Sequence, residues 1–403
     1  MSSVSWDFTP LSSEQELIKR EIGRICEEFD AEYWREHDKR KEYPHEFADL
    51  LGENGWLGAL IPEEYGGGGM TTAEMVVMME EIAAQGGGFG ATQAIHGAIY
   101  TTRPLVEHGG KRVKEEILPK LATGEETIQS LGLTEPNAGS ESTAIETEAV
   151  KDGDEYVVNG QKIWTSRLDV SDYLLLVART KPKAEVDKKT DGISMLLVDV
   201  EDAKSQDALE MKSIDKTSTN LSGAFEVWLE DLRVPAENII GEEHKGFYSL
   251  LDGLNDERLV IAAELIGMAE LALAKGAEYA SERIVFDQAI GANQSIQHPL
   301  AAAHADVQAA RQLTYEAAER SAAGDLSREA LGARANAAKY LAAEAAFDAA
   351  DAAVQAHGGK GIATEYDVER YFREARLSRL VPVTQQLALN YLGERELGLP
   401  RSY

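Results

Sequence analysis

The sequence predicts a multidomain α+β protein with a helical N-terminal domain, a central β domain and a C-terminal helical bundle. Residues 13–127 follow a helical pattern, residues 128–240 contain strand-like segments, and residues 246–397 are Ala-rich and helical. Because helices and strands occupy separate runs of a 403-residue chain, a doubly wound α/β fold is disfavoured. The predicted domains are residues 1–127, 128–240 and 241–403.

The N-terminal third carries signals for helix starts and helix breaks. Ser12 and Ser13 can cap a helix that begins beside them, because a short hydroxyl side chain accepts a hydrogen bond from a free backbone N–H. Glycine-rich segments at 66–69 and 86–90 interrupt the pattern and separate further helices. This third of the chain is therefore predicted to fold as several packed helices.

The middle of the chain shows strand patterns and one strong turn signal. Residues 156–158 are apolar or aromatic and lead into Asn159-Gly160, a pair that is typical of two-residue hairpin turns. The charged segment 181–190 has few apolar residues and predicts a loop, which we expect to be mobile. Further strands are predicted at residues 173–180, 193–200 and 224–230.

The charge of the chain excludes some classes of partner. Its net charge is -30, from 70 acidic and 40 basic residues that are spread along the sequence. Such a surface repels nucleic acid and anionic membranes, so neither is an expected partner. The acidity is also consistent with a halophilic protein, since high salt screens the repulsion between like charges.

Cysteine content and hydropathy point to a cytoplasmic protein. The single cysteine, Cys26, excludes an internal disulfide and a cysteine-based metal cluster, and we expect no bound metal. No apolar run is long enough to span a bilayer, and the first ten residues lack the features of a signal peptide. No Gly-x-Gly-x-x-Gly pattern follows a strand at a helix start, so a Rossmann-type dinucleotide site is not indicated.

Four segments occur in the order in which one enzyme family carries its motifs. They are residues 129–141, residues 159–166, residues 283–286 with Gln294, and residues 355–361. Taken singly, each is typical of an ordinary turn, a core tryptophan or a helix end. Together they make a specific pattern that resembles the acyl-CoA dehydrogenase family over nearly the full length of the chain.

The resemblance implies a fold, a cofactor and a reaction. The family fold has a helical domain, a central β-barrel and a helical bundle, with FAD between the last two and completed by a neighbouring subunit, usually in a homotetramer. Members oxidise an acyl-CoA thioester to trans-2-enoyl-CoA in fatty acid or amino acid catabolism. They pass the electrons to an electron-transferring flavoprotein.

The resemblance also implies which residues contact the cofactor. Arg283 and Gln294 would reach the FAD phosphates of a neighbouring subunit, and arginine suits bidentate phosphate binding. Ser140 would lie near the cofactor or the CoA arm of the substrate. The implied cofactor-binding residues are Leu131, Leu133, Thr134, Gly139, Ser140, Trp164, Ser166, Arg283, Phe286, Gln294, Gln355, Gly358, Gly359, Thr384 and Gln386.

The catalytic base is predicted on a helix. Most of the family uses a glutamate in a Tyr-Glu-Gly-Thr motif near the C-terminus, but Pro382 occupies that position here. The isovaleryl-CoA and long-chain branches use a Gly-Leu-x-x-Glu-Arg helix, which corresponds to residues 253–258 and assigns the base to Glu257. Glu257 interrupts an apolar helix face, which is costly unless the carboxylate has a task or a partner. The alternative is an exposed or salt-bridged glutamate beside Arg258.

Several points stay open at the level of sequence. Pro382 has no N–H to polarise the thioester carbonyl, so a flavin ribityl hydroxyl, a shifted amide such as that of Val383, or a water would replace it. An acyl-CoA oxidase and a noncatalytic, nucleic-acid-binding flavoprotein of the same fold are the alternative functions. The acyl chain length is not predicted. The expected substrate-binding residues are Ser140, Leu254, Asn255, Asp256 and Arg258.

Overall fold

The described chain runs from helices through strands to helices, in the predicted order. The computed structural model describes residues 10–401, except for the side chain of Asp252. Within this range, a helical N-terminal part is followed by a β-sheet part and a C-terminal helical bundle. In this range, no helix is long and apolar enough to cross a membrane.

In the N-terminal part, capping side chains and glycine breaks set the ends of several helices. Ser12 accepts from the backbone N–H of Gln15 at 3.1 Å, and the Gln15 side chain accepts from the Ser12 N–H at 2.9 Å, which confirms the predicted N-cap. Val113–Ile117 form a π-helical turn. The helices are α1 (Ser13–Cys26), α2 (Ala31–Arg40), α3 (His45–Glu53), α4 (Thr72–Ala84), α5 (Gly88–Tyr100), α6 (Thr102–His108) and α7 (Leu118–Thr123).

The middle part is one sheet of eight strands. Its hydrogen-bonded order is β6-β7-β3-β2-β4-β5-β8, and β1 pairs in parallel with β4. Among the described residues, β6 and β8 end this order without pairing to each other, so the sheet is not a closed barrel. A short helix, α8 (Val200–Ser205), follows β5. The strands are β1 (Ile128–Gly132), β2 (Glu148–Asp152), β3 (Glu155–Ser166), β4 (Tyr173–Arg179), β5 (Ile193–Asp199), β6 (Leu209–Ser213), β7 (Ala224–Pro235) and β8 (Ile239–Ile240).

The hairpin turn predicted at Asn159-Gly160 is wrong. Both residues lie inside β3, and the two-residue turn instead joins Asp152 to Glu155. The Asn159 side chain accepts from the Asp231 N–H at 2.8 Å across a register shift between β3 and β7. A Cβ at position 160 would lie 2.5 Å from Thr147 Oγ1, so glycine is required by close approach within a bulged strand.

The C-terminal part is built around one long helix, α9. It packs against α4, α5, α10 and α11, so side chains on several of its faces are buried. The predicted apolar face is confirmed by the burial of Leu250, Ile261, Leu265 and Met268. The elements are α9 (Gly246–Glu282), β9 (Ile284–Val285), β10 (Gln288–Ala289), α10 (Gln294–Ala322), α11 (Arg328–His357), α12 (Val368–Ser378) and α13 (Gln385–Arg395).

Close packing of α5 places the sheet beside the helical bundle. A Cβ at Gly97 would lie 2.1 Å from the carbonyl oxygen of Gln129, so the helix backbone and the first residues of β1 are in direct contact. The opposite side of α5 packs against α9. This arrangement brings residues 129–141 close to the helix that carries Glu257.

Candidate active site

The first two motifs lie against each other at the end of the sheet. The Ile163 N–H donates to the Thr134 carbonyl at 2.9 Å, and the Ser130 hydroxyl donates to the Ser166 carbonyl at 2.6 Å. Leu131 and Leu133 are half-buried in the same segment. The structure therefore brings together the residues of both motifs that were expected to contact a flavin ring.

A buried ion pair fixes the relative position of these motifs. The Lys162 ammonium donates to Glu135 Oε1 at 2.7 Å and to the Leu133 carbonyl at 3.2 Å. Glu135 also accepts from the backbone N–H groups of Glu146 and Thr147 at 2.6 and 2.9 Å. Burial would raise the pKa of Glu135, but Lys162 and these donors outweigh it and lower that pKa. The carboxylate is thus held ionised beneath the first motif.

Trp164 is exposed to solvent, and its backbone conformation is strained. Its φ is 61°, and its side chain is 54% exposed between the sheet-bonded residues Ile163 and Thr165. A left-handed conformation is costly for a bulky side chain and persists only where its surroundings enforce it. The indole is the kind of flat, exposed surface that an aromatic ligand can cover.

Thr165, the residue after Trp164, has a hydroxyl without a partner among the described residues, and the loop after β1 contains open space. Gly139 and Ser140 are exposed, and a Cβ added at Gly139 would meet no atom within 4 Å. The Thr165 hydroxyl is buried and has no hydrogen-bond partner among the described residues. A buried polar atom without a partner is rare, so Thr165 is a candidate ligand donor that the sequence did not single out.

Glu257 is buried in the helical bundle, which contradicts the exposed alternative. The residue is 7% exposed, and its Oε2 has no hydrogen-bond partner among the described residues. Its Oε1 lies 3.6 Å from His96 Nε2 on α5. Arg258 donates to Asn255 at 2.7 Å, three residues earlier on the same helix. Glu257 therefore faces α5 with one free oxygen.

A small cavity lies beside the Glu257 carboxylate between α4, α5 and α9. Most of its lining is apolar, and Asp256 and Arg103 supply charged groups 3.5 Å apart. Ser321 donates to Asp256 at 2.9 Å, and burial raises the pKa of that carboxyl. The cavity volume is about 20 Å³, which is room for about one water, so an alkyl chain could enter beside the carboxylate only after the lining side chains move. The lining residues are Leu60, Thr72, Met75, Ile99, Tyr100, Arg103, Gly253, Asp256, Glu257 and Val260.

The expected substrate-binding residues are not all in one place. Leu254 is half-buried, and Asp256 adjoins the cavity. Arg258 is half-buried, and burial together with the charge of Arg258 lowers the pKa of Lys339 on α11. Burial lowers the pKa of Arg258. Ser140 is on the exposed loop after β1, so the candidate set spans both the sheet and α9.

A second group of predicted cofactor residues lies at the far end of α9. Arg283 and Glu257 are 26 residues apart on one continuous helix, or about 39 Å at 1.5 Å per residue. Phe286 is 94% exposed at the tip of the β9–β10 hairpin, and Gln294 is exposed at the start of α10. One chain therefore does not bring Arg283 to the cavity beside Glu257.

The glycine segment after α11 lies at this same far end. Gln355, Gly358 and Gly359 are exposed, and a Cβ at either glycine would meet no atom within 4 Å. His357 stacks on Tyr279 of α9 with ring centroids 4.2 Å apart, which fixes the segment near the hairpin. The fourth motif is thus a separate, open surface.

The C-terminal segment that begins at Pro382 leads into the last helix. Pro382 is exposed, and the Thr384 hydroxyl caps α13 by accepting from the Leu387 N–H at 3.3 Å. Gln386 is exposed on that helix. Lys339 holds the segment from below, donating to the carbonyls of Ser378 and Val383 at 2.7 and 2.6 Å.

The sequence did not identify three polar residues around Glu257, of which His96 and Glu264 are buried and Tyr100 is half-buried. His96 and Tyr100 lie on α5, and Glu264 lies two helical turns beyond Glu257 on α9. Glu264 carried a usable signal, because a spacing of seven places both acids on one helix face. His96 had no comparable signal, since only the fold brings α5 to α9.

Comparison with known proteins assigns the chain to a class. Residues 12–125, 130–231 and 244–397 match the N-terminal, middle and C-terminal domains of acyl-CoA dehydrogenase. The chain therefore belongs to the acyl-CoA dehydrogenase family and is an oxidoreductase of that class.

Individual relatives match over almost their whole length. The acyl-CoA dehydrogenase FadE12 of Mycobacterium tuberculosis is 35% identical over 97% of this chain and 98% of its own. A short-chain-specific acyl-CoA dehydrogenase of Clostridium acetobutylicum is 33% identical over 94% and 97%. The structure of butyryl-CoA dehydrogenase from Megasphaera elsdenii superposes with a TM-score of 0.88 at 30% identity, covering 96% of this chain and 99% of that one.

Proposed function

We propose that this protein catalyses the FAD-dependent α,β-dehydrogenation of an acyl-CoA thioester to trans-2-enoyl-CoA, with Glu257 as the base. The observation that carries the proposal is the Glu257 carboxylate, which is buried beside an apolar cavity with one oxygen unpaired. This arrangement supports the branch of the family that places the base on this helix.

The free oxygen of Glu257 is suited to removing a proton from carbon. Oε2 has no partner among the described residues and is therefore available to the α-proton of a thioester that enters the cavity. The rigid packing of α9 fixes the carboxylate, so little reorganisation is needed as the proton moves. Asn255, Asp256 and Leu254, one turn before the base or closer, would then surround the substrate.

Residues in and next to the sheet fit a flavin. Trp164 offers a flat surface, Thr165 an unpaired hydroxyl, and Gly139 open space beside the backbone. Bound FAD would supply the acceptor for the hydride that leaves the β-carbon. Thr134 and Ser166 would hold the ring edge, while Arg283, Gln294 and the Gln355–Gly359 segment would hold the FAD of a second subunit.

The distance along α9 supports an oligomer. Arg283 lies about 39 Å from Glu257 within one chain, so both can serve one flavin only if they come from different subunits. This distance calls for at least two subunits, and the family resemblance favours a homotetramer with an electron-transferring flavoprotein as the acceptor.

Replacing Trp164 by glycine is expected to affect cofactor binding and protein stability in opposite directions. Glycine adopts a φ of 61° without steric cost, so the apoprotein of Trp164→Gly is expected to unfold at an equal or higher temperature than wild type. FAD affinity is expected to fall by about 5- to 150-fold, because base-type stacking on an aromatic side chain contributes about 1–3 kcal/mol. Thermal melts of the apoprotein and fluorescence titration with FAD measure the two effects.

The conservative variant Trp164→Phe is the control for this prediction. It retains an aromatic face and is expected to keep most of the FAD affinity while it keeps the strained backbone. Wild-type FAD affinity in Trp164→Gly would show that the indole is not part of the cofactor site.

Flavin bleaching tests the reaction directly. The FAD-loaded protein is mixed anaerobically with acyl-CoA thioesters of varied chain length and branching, one equivalent per flavin. At least one thioester is expected to bleach the flavin absorption near 450 nm and to yield the 2-enoyl product. Admission of oxygen alone, or of an electron-transferring flavoprotein, then distinguishes an oxidase from a dehydrogenase.

Failure to bleach with any acyl-CoA would favour the noncatalytic alternative. That alternative needs a basic face for nucleic acid, which the net charge of -30 disfavours.

A further inference from the structure

We propose that His96 is a positioning residue that orients the Glu257 carboxylate, and that Glu264 anchors His96 for this role. This role rests on the proposed function, because it presupposes that Glu257 is the base. His96 would act on the substrate only through Glu257.

The three side chains form a buried line between α5 and α9. His96 Nδ1 lies 2.6 Å from Glu264 Oε1, and His96 Nε2 lies 3.6 Å from Glu257 Oε1. All three residues are buried. The imidazole therefore stands between two carboxylates that lie two helical turns apart on the same face of α9.

Glu264 has more hydrogen-bond partners than Glu257. Its Oε2 accepts from the Thr92 hydroxyl at 3.1 Å and from Gln93 Nε2 at 2.8 Å, in addition to the His96 contact at Oε1. Glu264 therefore holds the imidazole ring in place from the side away from the base.

The distance to Glu257 favours an electrostatic effect over a hydrogen bond. A separation of 3.6 Å is too long for a normal N–H···O bond, and neither His96 Nε2 nor Glu257 Oε2 has another partner among the described residues. The base thus faces a nearby ring nitrogen without being tied to it. Its second oxygen stays available for the substrate.

The surroundings favour a positively charged imidazole. Burial would lower the pKa of His96, but the carboxylates of Glu264 and Glu257 outweigh it and raise the pKa to about 9. On α5, Tyr100 packs on the His96 ring with centroids 4.9 Å apart, and Arg167 donates to the Tyr100 hydroxyl at 3.2 Å. Arg258 on α9 also acts on Glu257 by its charge, so Glu264 depends on the His96 cation more than Glu257 does.

The expected consequence is a carboxylate held in one direction. The charge on His96 attracts Oε1 towards α5, so that Oε2 is left to face the substrate.

The test compares, in FAD-loaded variants, the flavin-bleaching rate at saturating acyl-CoA and the acyl-CoA concentration that gives half of that rate. His96→Asn is expected to lower the saturating rate by about tenfold or more and to change the half-saturating concentration by less than about twofold, because the base loses its orientation while the substrate-binding groups remain. Glu264→Gln is expected to lower the saturating rate by less. Glu270→Gln is the matched control, since Glu270 lies on α9 and pairs with Arg311 at 2.5 Å. Its rate and half-saturating concentration are expected to match those of wild type.

A second readout does not depend on catalysis. The side-chain NMR signals of His96 in FAD-loaded protein without substrate are expected to titrate near pH 9 in wild type and at lower pH in Glu257→Gln and Glu264→Gln. A wild-type saturating rate in His96→Asn, or a loss confined to the half-saturating concentration, would overturn the positioning role. Absence of bleaching in wild type would reject the proposed function instead, while the titration would still report the charge coupling.

Discussion

Glu257→Gln is expected to reduce the rate of flavin bleaching by on the order of 10²–10⁴-fold, the usual contribution of a general base. Glutamine has the size of glutamate but cannot accept the α-proton. Because the variant keeps the shape of α9, it is expected to retain FAD and its overall fold. Stopped-flow absorption of the FAD-loaded protein with the preferred acyl-CoA measures the rate, and the flavin spectrum measures cofactor content.

Glu270→Gln is the control for this variant. Glu270 is a carboxylate on the same helix, thirteen residues further along, and its partner is Arg311. It is expected to bleach at a rate close to that of wild type. A Glu257→Gln protein that binds FAD and bleaches at the wild-type rate would rule out Glu257 as the base.

Lys162→Met is expected to lower the free energy of unfolding by about 3 kcal/mol, the lower end of the range for breaking a buried ion pair. The loss is limited because Glu135 keeps its two backbone N–H donors. The variant is also expected to bind FAD more weakly, since the pair holds the two motifs together. Chemical denaturation of the apoprotein and FAD titration measure the two effects.

The ion pair Lys189–Glu141 provides the exposed control. Its atoms are 2.9 Å apart, but its side chains are 68% and 60% exposed. Lys189→Met is expected to change the free energy of unfolding by less than about 1 kcal/mol, as for other surface pairs. An equal loss in both variants would mean that burial of Lys162 contributes nothing to stability. Lys162→Met with Glu135→Gln is expected to recover part of the loss.

The broad fold could be predicted because local patterns match the structure. Separate helical and strand-like runs, the Ser12 cap and the apolar face of α9 each depend on residues close in sequence. The Asn159-Gly160 turn failed because its outcome depends on β7 and on Thr147, which are distant in sequence. A short-range signal cannot distinguish a turn from a bulge when a third strand pairs with the segment.

The candidate site could be predicted only in part, for the same reason. The helical period placed Glu257 among apolar residues, and the structure confirms that it is buried. His96 lies 161 residues earlier, and only the packing of α5 on α9 brings its ring within 3.6 Å of the base. The left-handed Trp164 likewise depends on how β3 pairs with β7.

The location of Glu257 on a packed helix affects how such proteins are recognised in genomes. Side chains on several faces of α9 are buried, whereas Pro382 lies exposed in the segment between α12 and α13. If Glu257 is the base, that segment is released from catalytic selection and its sequence can diverge without loss of activity. A search for the Tyr-Glu-Gly-Thr pattern would then discard active enzymes of this kind. A search for the Gly-Leu-x-x-Glu-Arg pattern of residues 253–258 would retain them.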